Sequence, residues 1–399
     1  IDLGGGFDTL GIYVDGTQLQ AANLVSVELI ELDTDVDVTV TLAQNALIDA
    51  ALGNNTVTLS EAGTVTGKSE VEAYVLANGT DDFTLGADGQ DVTGGSGNDT
   101  LRATSDQLAG ATLAGGAGSA DTLVLTSNAV STVTVGGTLS GIEVMDLDAI
   151  AVGVNFTANA DVRQVLAGSG ADTLNLAAVA AGATVSAGAG ADTVTGGAGN
   201  DSIDVGVDAD ADLVNAGGGS DTVLNFGAGD TINLEGGADT AAYAAVNAIV
   251  DGGTGGGVDT LAISATTSAM TIDFSQSNAQ QVTVGGTGTW RNFENLAAGG
   301  ASHALTVTLA SGSTSIVTGS GDDRVGLRVQ NVTVDAGAGI DTLVFSGGGA
   351  ALIDLSTGGD QLSGLGAYSN FENVDGASAS ATMIVIGGEN TAFIHTGSG

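Results

Sequence analysis

Cysteine and proline are both absent from the 399 residues. Without cysteine no disulfide framework can stabilise the chain. With no proline beside 66 glycines, collagen-like and proline-rich disordered readings fail. Aromatics make up only 4% while apolar residues reach 43%, so any core is built of Ala, Val, Leu and Ile. Cationic side chains are scarce: 6 Lys and Arg face 47 Asp and Glu, for a formal charge of −41. Nucleic acids and anionic membranes repel such a surface, and divalent cations are drawn to it. The acids lie scattered through Val- and Leu-rich text, which excludes a solvated acidic tail. Long apolar runs are missing too. The best candidate, Leu176–Ala191, is Ala- and Gly-rich, so no membrane insertion is expected. No signal peptide is visible, and the chain opens and stops in mid-pattern, with "IDLGGGFDTLG" and "HTGSG". It reads as a segment of a longer protein.

What is present is a repeated phrase. "AGAGADTVTGGAGNDSID" (Ala187–Asp204) writes one nine-residue phrase twice, with glycines at its second and fourth positions, Asp at its sixth and Val or Ile at its eighth. "VDADADLVN", "AGGGSDTVL" and "NFGAGDTIN" continue it to Asn233 after a two-residue slip. Isolated copies are "GGSGNDTLR" (Gly94–Arg102), "GGAGSADTLV" (Gly115–Val124), "AGSGADTLN" (Ala167–Asn175), "GGTGGGVDTL" (Gly252–Leu261), "TGSGDDRVG" (Thr318–Gly326) and "AGAGIDTLV" (Ala336–Val344), with a further close copy at Asp8. Closely spaced glycines bend the backbone and turn carbonyls inward. The three residues after the Asp favour a short strand whose middle side chain points in. Two phrases therefore make one coil of a right-handed solenoid, with coils about 4.8 Å apart. That register puts Asp192, Asp212 and Asp230 on one edge and Asp201 and Asp221 on the other. Carboxylates at that spacing repel by about 1 kcal/mol in water and more at a protein surface. Ca²⁺ suits the gap, because it takes carboxylate and carbonyl oxygens together in loose geometry.

The phrase resembles the glycine- and aspartate-rich nonapeptide of the RTX (repeats-in-toxin) proteins, whose β-rolls bind Ca²⁺ between successive turns. The resemblance implies an all-β fold, a right-handed parallel β-roll or β-solenoid with calcium-binding turns, accessory strands and few short helices. Three segments are expected: a β-rich solenoid module at 1–76, the calcium-binding β-roll region at 77–240, and a further solenoid module with scattered turns at 241–399. It also implies multiple Ca²⁺ ions held by the glycine positions and the aspartates. Those are Gly94, Gly95, Gly97 and Asp99; Gly116, Gly118 and Asp121; Gly168, Gly170 and Asp172; Gly188, Gly190 and Asp192; Gly197, Gly199 and Asp201; Asp212; Gly217, Gly219 and Asp221; Asp230; Asp259; Asp323; and Gly337, Gly339 and Asp341. The alternative for each Asp is to close a turn through backbone bonds.

A longer unit overlies the short one. The phrases at Asp8, Asp121, Asp259 and Asp341 lead respectively to "VSVELIEL", "LSGIEVMDL", "WRNFENL" and "YSNFENV". Their shared glutamates, Glu28, Glu143, Glu294 and Glu372, are expected to bond backbone groups at a repeated corner, with a role as ligands or catalysts as the alternative. Intervening text such as "VDVTVTLA" alternates as half-buried strands do. Short helical turns and a boundary are expected near "AAYAAVNAIV" (Ala241–Val250).

Catalytic signatures are lacking. The two histidines, His303 and His395, lie far apart, and no His-Glu-x-x-His, Gly-x-Ser-x-Gly or phosphate-loop motif occurs. No enzyme is expected. Composition and repeat resemble bacterial S-layer proteins and large adhesins exported by type I secretion. The expected function is a secreted, calcium-binding structural protein of the bacterial cell surface. It would form a homo-oligomer, lattice or fibre, with surface polysaccharide as a further partner. The alternative is the calcium-dependent accessory region of a type I secreted enzyme. Asn-x-Ser/Thr sequons at Asn54, Asn78, Asn98, Asn155, Asn200 and Asn331 are read as coincidence.

Overall fold

The computed structural model describes residues 1–399 apart from 51–52, 127–132, 136, 244–246, 267, 277–278, 284–287, 310, 328–330, 346–350, 357–359, 363–365, 380–382, 389–392 and 397–399. The chain forms two compact units, Ile1–Ala189 and Gly190–Gly399. Each is a parallel β-solenoid, as the alternating Thr-apolar-Thr text and its glycine turns dictate. A strand such as Thr64–Thr66 buries its central Val and turns both threonines outward. A three-residue strand suffices because each neighbouring coil supplies its hydrogen-bond partners in register.

In the first unit one sheet runs in parallel register from Thr64–Thr66 through Asp82–Thr84, Thr100–Ala103, Thr122–Leu125, Val144–Asp146 and Gln164–Leu166 to Thr184–Ser186. Its inward positions stack as Val65, Phe83, Leu101, Leu123, Met145, Val165 and Val185, all buried. A 7-stranded sheet from Thr17–Gln18 to Thr138–Ser140 and a 3-stranded sheet of Thr9–Ile12, Leu29–Leu32 and Ile48–Ala50 form other walls. The one helix among the described residues is the single turn Leu42–Asn45, held by a capping box between Thr41 and Gln44.

In the second unit the stacked rows are Ile203, Val223, Ala241, Leu261, Leu296, Ile316, Val334 and Tyr368 on one wall. Val194, Val214, Ile232, Val250 and Trp290 line another. Burying each such aliphatic contributes about 1.5–3 kcal/mol, so the ladder of small side chains replaces the missing aromatic core. The only tryptophan closes its row against Phe226, Tyr243 and Phe293, with ring centroids 5.6, 5.0 and 6.3 Å away. The helical turns expected in Ala241–Val250 are not found among the described residues. Thr240–Ala242 and Ile249–Asp251 are strands instead, and the first pairs with Thr222–Leu224 on one side and Thr260–Ala262 on the other. The alanines mimic a helical composition, but the solenoid sets a short inward row that Ala241 fills. Residues 244–246 of that stretch lie outside the described set.

Glycine does more than bend the turns. A Cβ on Gly257 would lie 1.4 Å from the carbonyl oxygen of Gly237, a neighbouring backbone that cannot yield without parting the coils. Gly257→Ala is therefore expected to destabilise the second unit by about 3 kcal/mol or more. Gly299→Ala, where the nearest atom is Val317 Cγ1 at 3.8 Å, should change it by about 0.5 kcal/mol or less. Urea unfolding of the two variants checks the contrast, and equal midpoints would contradict the close-approach account.

Candidate metal centre

The sixth-position aspartates form ladders along the solenoid corners. In the first unit the Gly63 N–H donates to Asp81 Oδ1 at 2.7 Å, Asp81 to Asp99 at 2.9 Å, Asp99 to Asp121 at 2.7 Å, and Asp121 to Glu143 Oε2 at 2.8 Å. Asp172 takes the Val154 N–H at 2.6 Å, and the Asp8 N–H reaches Glu28 Oε2 at 2.9 Å. In the second unit Asp192 donates to Asp212 and Asp212 to Asp230, at 2.7 and 3.0 Å. A parallel run goes from Asp201 to Asp221, Asp239, Asp259 and Glu294, at 2.8, 2.7, 2.9 and 2.9 Å. A third joins Leu305 to Asp323, Asp341 and Glu372, at 2.7, 2.7 and 2.9 Å. The two-phrase register thus places Asp192, Asp212 and Asp230 in one row and Asp201 and Asp221 in another, as the spacing predicts. Successive carboxylates do not simply face one another. A backbone N–H lies between each pair, which softens the repulsion between adjacent coils.

These aspartates are buried: none of Asp99, Asp121, Asp172, Asp192, Asp201, Asp212, Asp221, Asp230, Asp259, Asp323 and Asp341 is more than 5% exposed. In Asp99, Asp121, Asp172, Asp212, Asp221, Asp230, Asp259, Asp323 and Asp341 one oxygen takes an N–H of the coil before. The other oxygen has two fates. In Asp99 and Asp201 it takes an N–H of its own loop, from Gly95 at 3.3 Å and Gly197 at 2.9 Å, and Asp230 does the same with Gly227. These three follow the turn-closing alternative. In Asp81, Asp121, Asp212, Asp221, Asp239 and Asp341 the Oδ2 atom is buried with no hydrogen-bond donor.

A buried carboxylate oxygen without a donor demands a proton or a cation. The acid strengths say the same. Burial, reinforced by the Asp201, Asp239 and Glu235 charges, raises the Asp221 carboxyl to about 7. Burial with Asp239, Glu294 and Asp251 does so for Asp259, and burial with Asp323, Glu372 and Asp322 for Asp341. Asp172 and Asp212 rise to about 6, again chiefly through burial.

The glycines furnish the rest of the donor set. Gly217 has φ of +103°, a conformation that L side chains avoid, and its neighbours in the loop turn carbonyls toward the adjacent coil. The carbonyls of Gly95, Gly168, Gly197 and Gly217 each accept an N–H from the next loop, from Ala117, Ala189, Gly218 and Gly236 respectively. A carbonyl has two lone pairs, so each keeps one for a ligand. Among the described residues no three Asp, Glu or His side chains gather at one point. Any ion here would be held by one or two carboxylates and several carbonyls. That is a donor set for Ca²⁺ rather than for Zn²⁺, and the residues present fit it.

Three features escaped the sequence pattern. Asp81 and Asp239 belong to the ladders although their phrases, "NGTDDF" and "GGADTA", have degenerate glycine spacing. The periodic distance of 18 residues to Asp99 and back to Asp221 was the usable signal. Second, the four glutamates bond backbone N–H groups at a repeated corner, as expected, but they do so by taking the place of an aspartate at a ladder's end. Third, asparagines one to three residues before the aspartates form an outer staple in the opposite direction. Asn78 Oδ1 accepts the Ser96 N–H at 3.2 Å, Asn98 the Ser119 N–H at 3.1 Å, and Asn200 the Ser220 N–H at 2.7 Å. Three of the sequon asparagines are therefore occupied in coil-to-coil bonds.

The chain matches no model of a known protein family and no curated protein.

Proposed function

We propose that this chain is a calcium-binding structural protein of the bacterial cell surface, a lattice, fibre or adhesin-stalk subunit that self-associates when Ca²⁺ is present. The observation that carries the reading is the set of buried aspartates, such as Asp121, Asp212, Asp221 and Asp341, with one oxygen spent on the neighbouring coil and the second lacking a donor. Ca²⁺ would be held by Asp81, Asp121, Asp212, Asp221, Asp239, Asp341 and their loop carbonyls. It would supply positive charge where the protein has none, and so lock coil to coil. The acidic surface keeps copies apart at low Ca²⁺, and neutralising it lets them approach.

Negative-stain electron microscopy with light scattering through a Ca²⁺ titration tests the assembly. Ordered sheets or fibres at millimolar Ca²⁺, dispersing in chelator, are the expected result. A strict monomer at millimolar Ca²⁺ and high protein concentration would overturn self-association and favour the accessory region of a secreted enzyme.

A further inference from the structure

The four glutamates differ from the ladder aspartates in the direction of one bond. In an aspartate coil the aspartate N–H points forward to the carboxylate one coil on, while only the next residue's N–H points back. Thr122 N–H, for instance, meets Asp99 O at 2.8 Å. In a glutamate coil both N–H groups point back to one carbonyl. Glu143 and Val144 both donate to Asp121 O at 3.0 Å, Glu294 and Asn295 to Asp259 O at 3.0 and 2.9 Å, and Glu372 and Asn373 to Asp341 O at 3.2 and 2.9 Å. Glu28 and Leu29 do the same to Asp8 O at 3.1 and 3.3 Å. Each of these glutamates also follows, by two positions, a residue in the left-handed region: Ser26 at φ 54°, Gly141 at 56°, Asn292 at 60° and Asn370 at 64°. That residue rotates the chain so that the glutamate N–H faces backward, and the extra methylene of Glu lets its carboxylate still reach the last aspartate N–H. An N–H already spent on the preceding coil cannot hold a carboxylate in the following one.

We infer that Glu143, Glu294 and Glu372 are positioning residues that terminate the carboxylate rows, and that the rows they bound, 81–143, 201–294 and 323–372, fill with cations as separate blocks. The inference rests on the cation reading above. Within a row, ordering one loop around an ion fixes the N–H that orients the next carboxylate, so neighbouring sites are coupled. At the glutamate that chain of bonds stops, and the coupling stops with it.

Hydrogen exchange read by mass spectrometry on the full chain, across a series of free Ca²⁺ concentrations, tests this with Asp221→Asn. The free Ca²⁺ at which amides of 201–294 become protected should rise by about tenfold, one lost ligand's worth, while the midpoints for 81–143 and 323–372 stay within about twofold. An equal shift in 323–372 would overturn the block assignment. If no amide in any row responds to Ca²⁺, the cation reading fails instead, and the same variant is then followed in urea. Protection lost through 201–294 alone supports glutamate termination. Protection lost evenly into 323–372 refutes it.

Discussion

In chelator at pH 8 the far-ultraviolet β-signal of the chain is expected to collapse, and to return on adding millimolar Ca²⁺. Once ionised, Asp81, Asp121, Asp212, Asp221, Asp239 and Asp341 each hold a charged oxygen away from water and without a donor. The formal charge of −41 adds repulsion throughout the chain. A ligand at a hundredfold excess over its Kd contributes about 2.7 kcal/mol per site. Several such sites together match or exceed the roughly 5–15 kcal/mol that a whole domain commonly retains. Removal of the ion is therefore expected to unfold the ladder-bearing coils rather than loosen them, with Ala187–Asn233 among the first to go. Circular dichroism decides the matter, and a β-signal unchanged after complete Ca²⁺ removal would end the calcium reading.

The metal-free chain is expected to be more stable at pH 5 than at pH 8, the reverse of the usual behaviour of paired aspartates. Burial raises Asp221, Asp259 and Asp341 to about 7 and Asp172 and Asp212 to about 6, against about 3.9 in an unfolded chain. Between those values the native state holds protons that the unfolded state has released, so stability falls as pH rises. The contribution is fully present below about pH 4 and is lost as pH climbs through the native values, up to about 7. Calcium competes with the same protons, so it should restore most of the loss above pH 7 and bind more weakly at pH 5. Thermal unfolding in chelator, followed from pH 5 upward to the pH at which the fold is lost, measures the slope. General charge repulsion has the same sign, and Asp221→Asn separates the two: it should flatten the slope by removing one buried titration while changing the net charge little. A metal-free midpoint that climbs from pH 5 to pH 8 would show the buried carboxylates to be stabilised as anions by something other than a cation.

Much of this architecture was legible because its period is the coil itself. Val65, Leu101 and Val194 announce inward positions by the polar neighbours on either side, and the nine-residue spacing of Asp192, Asp201 and Asp212 with its slip fixes which carboxylates share an edge. The glutamate corner was legible as a recurrence, but not its role, because that depends on which way an N–H points. The direction is set by the left-handed residue two places earlier, which can be Ser, Gly or Asn and so leaves no common letter. Asp81 and Asp239 were hidden by degenerate glycines. Ala241–Val250 misled because alanine composition argues for helix locally while the stack on both sides imposes a strand.

The buried place of Trp290 has an optical consequence. It is the only tryptophan, 2% exposed, and it packs among Phe226, Tyr243 and Phe293 four residues before Glu294. Excited beyond the tyrosine band, the chain emits from one point in the second unit, and the first unit is dark. A blue-shifted emission would report the interior of the coils between Asp201 and Glu294, and its red shift would time their opening. Any ligand-driven change confined to residues 1–189 would leave that emission untouched.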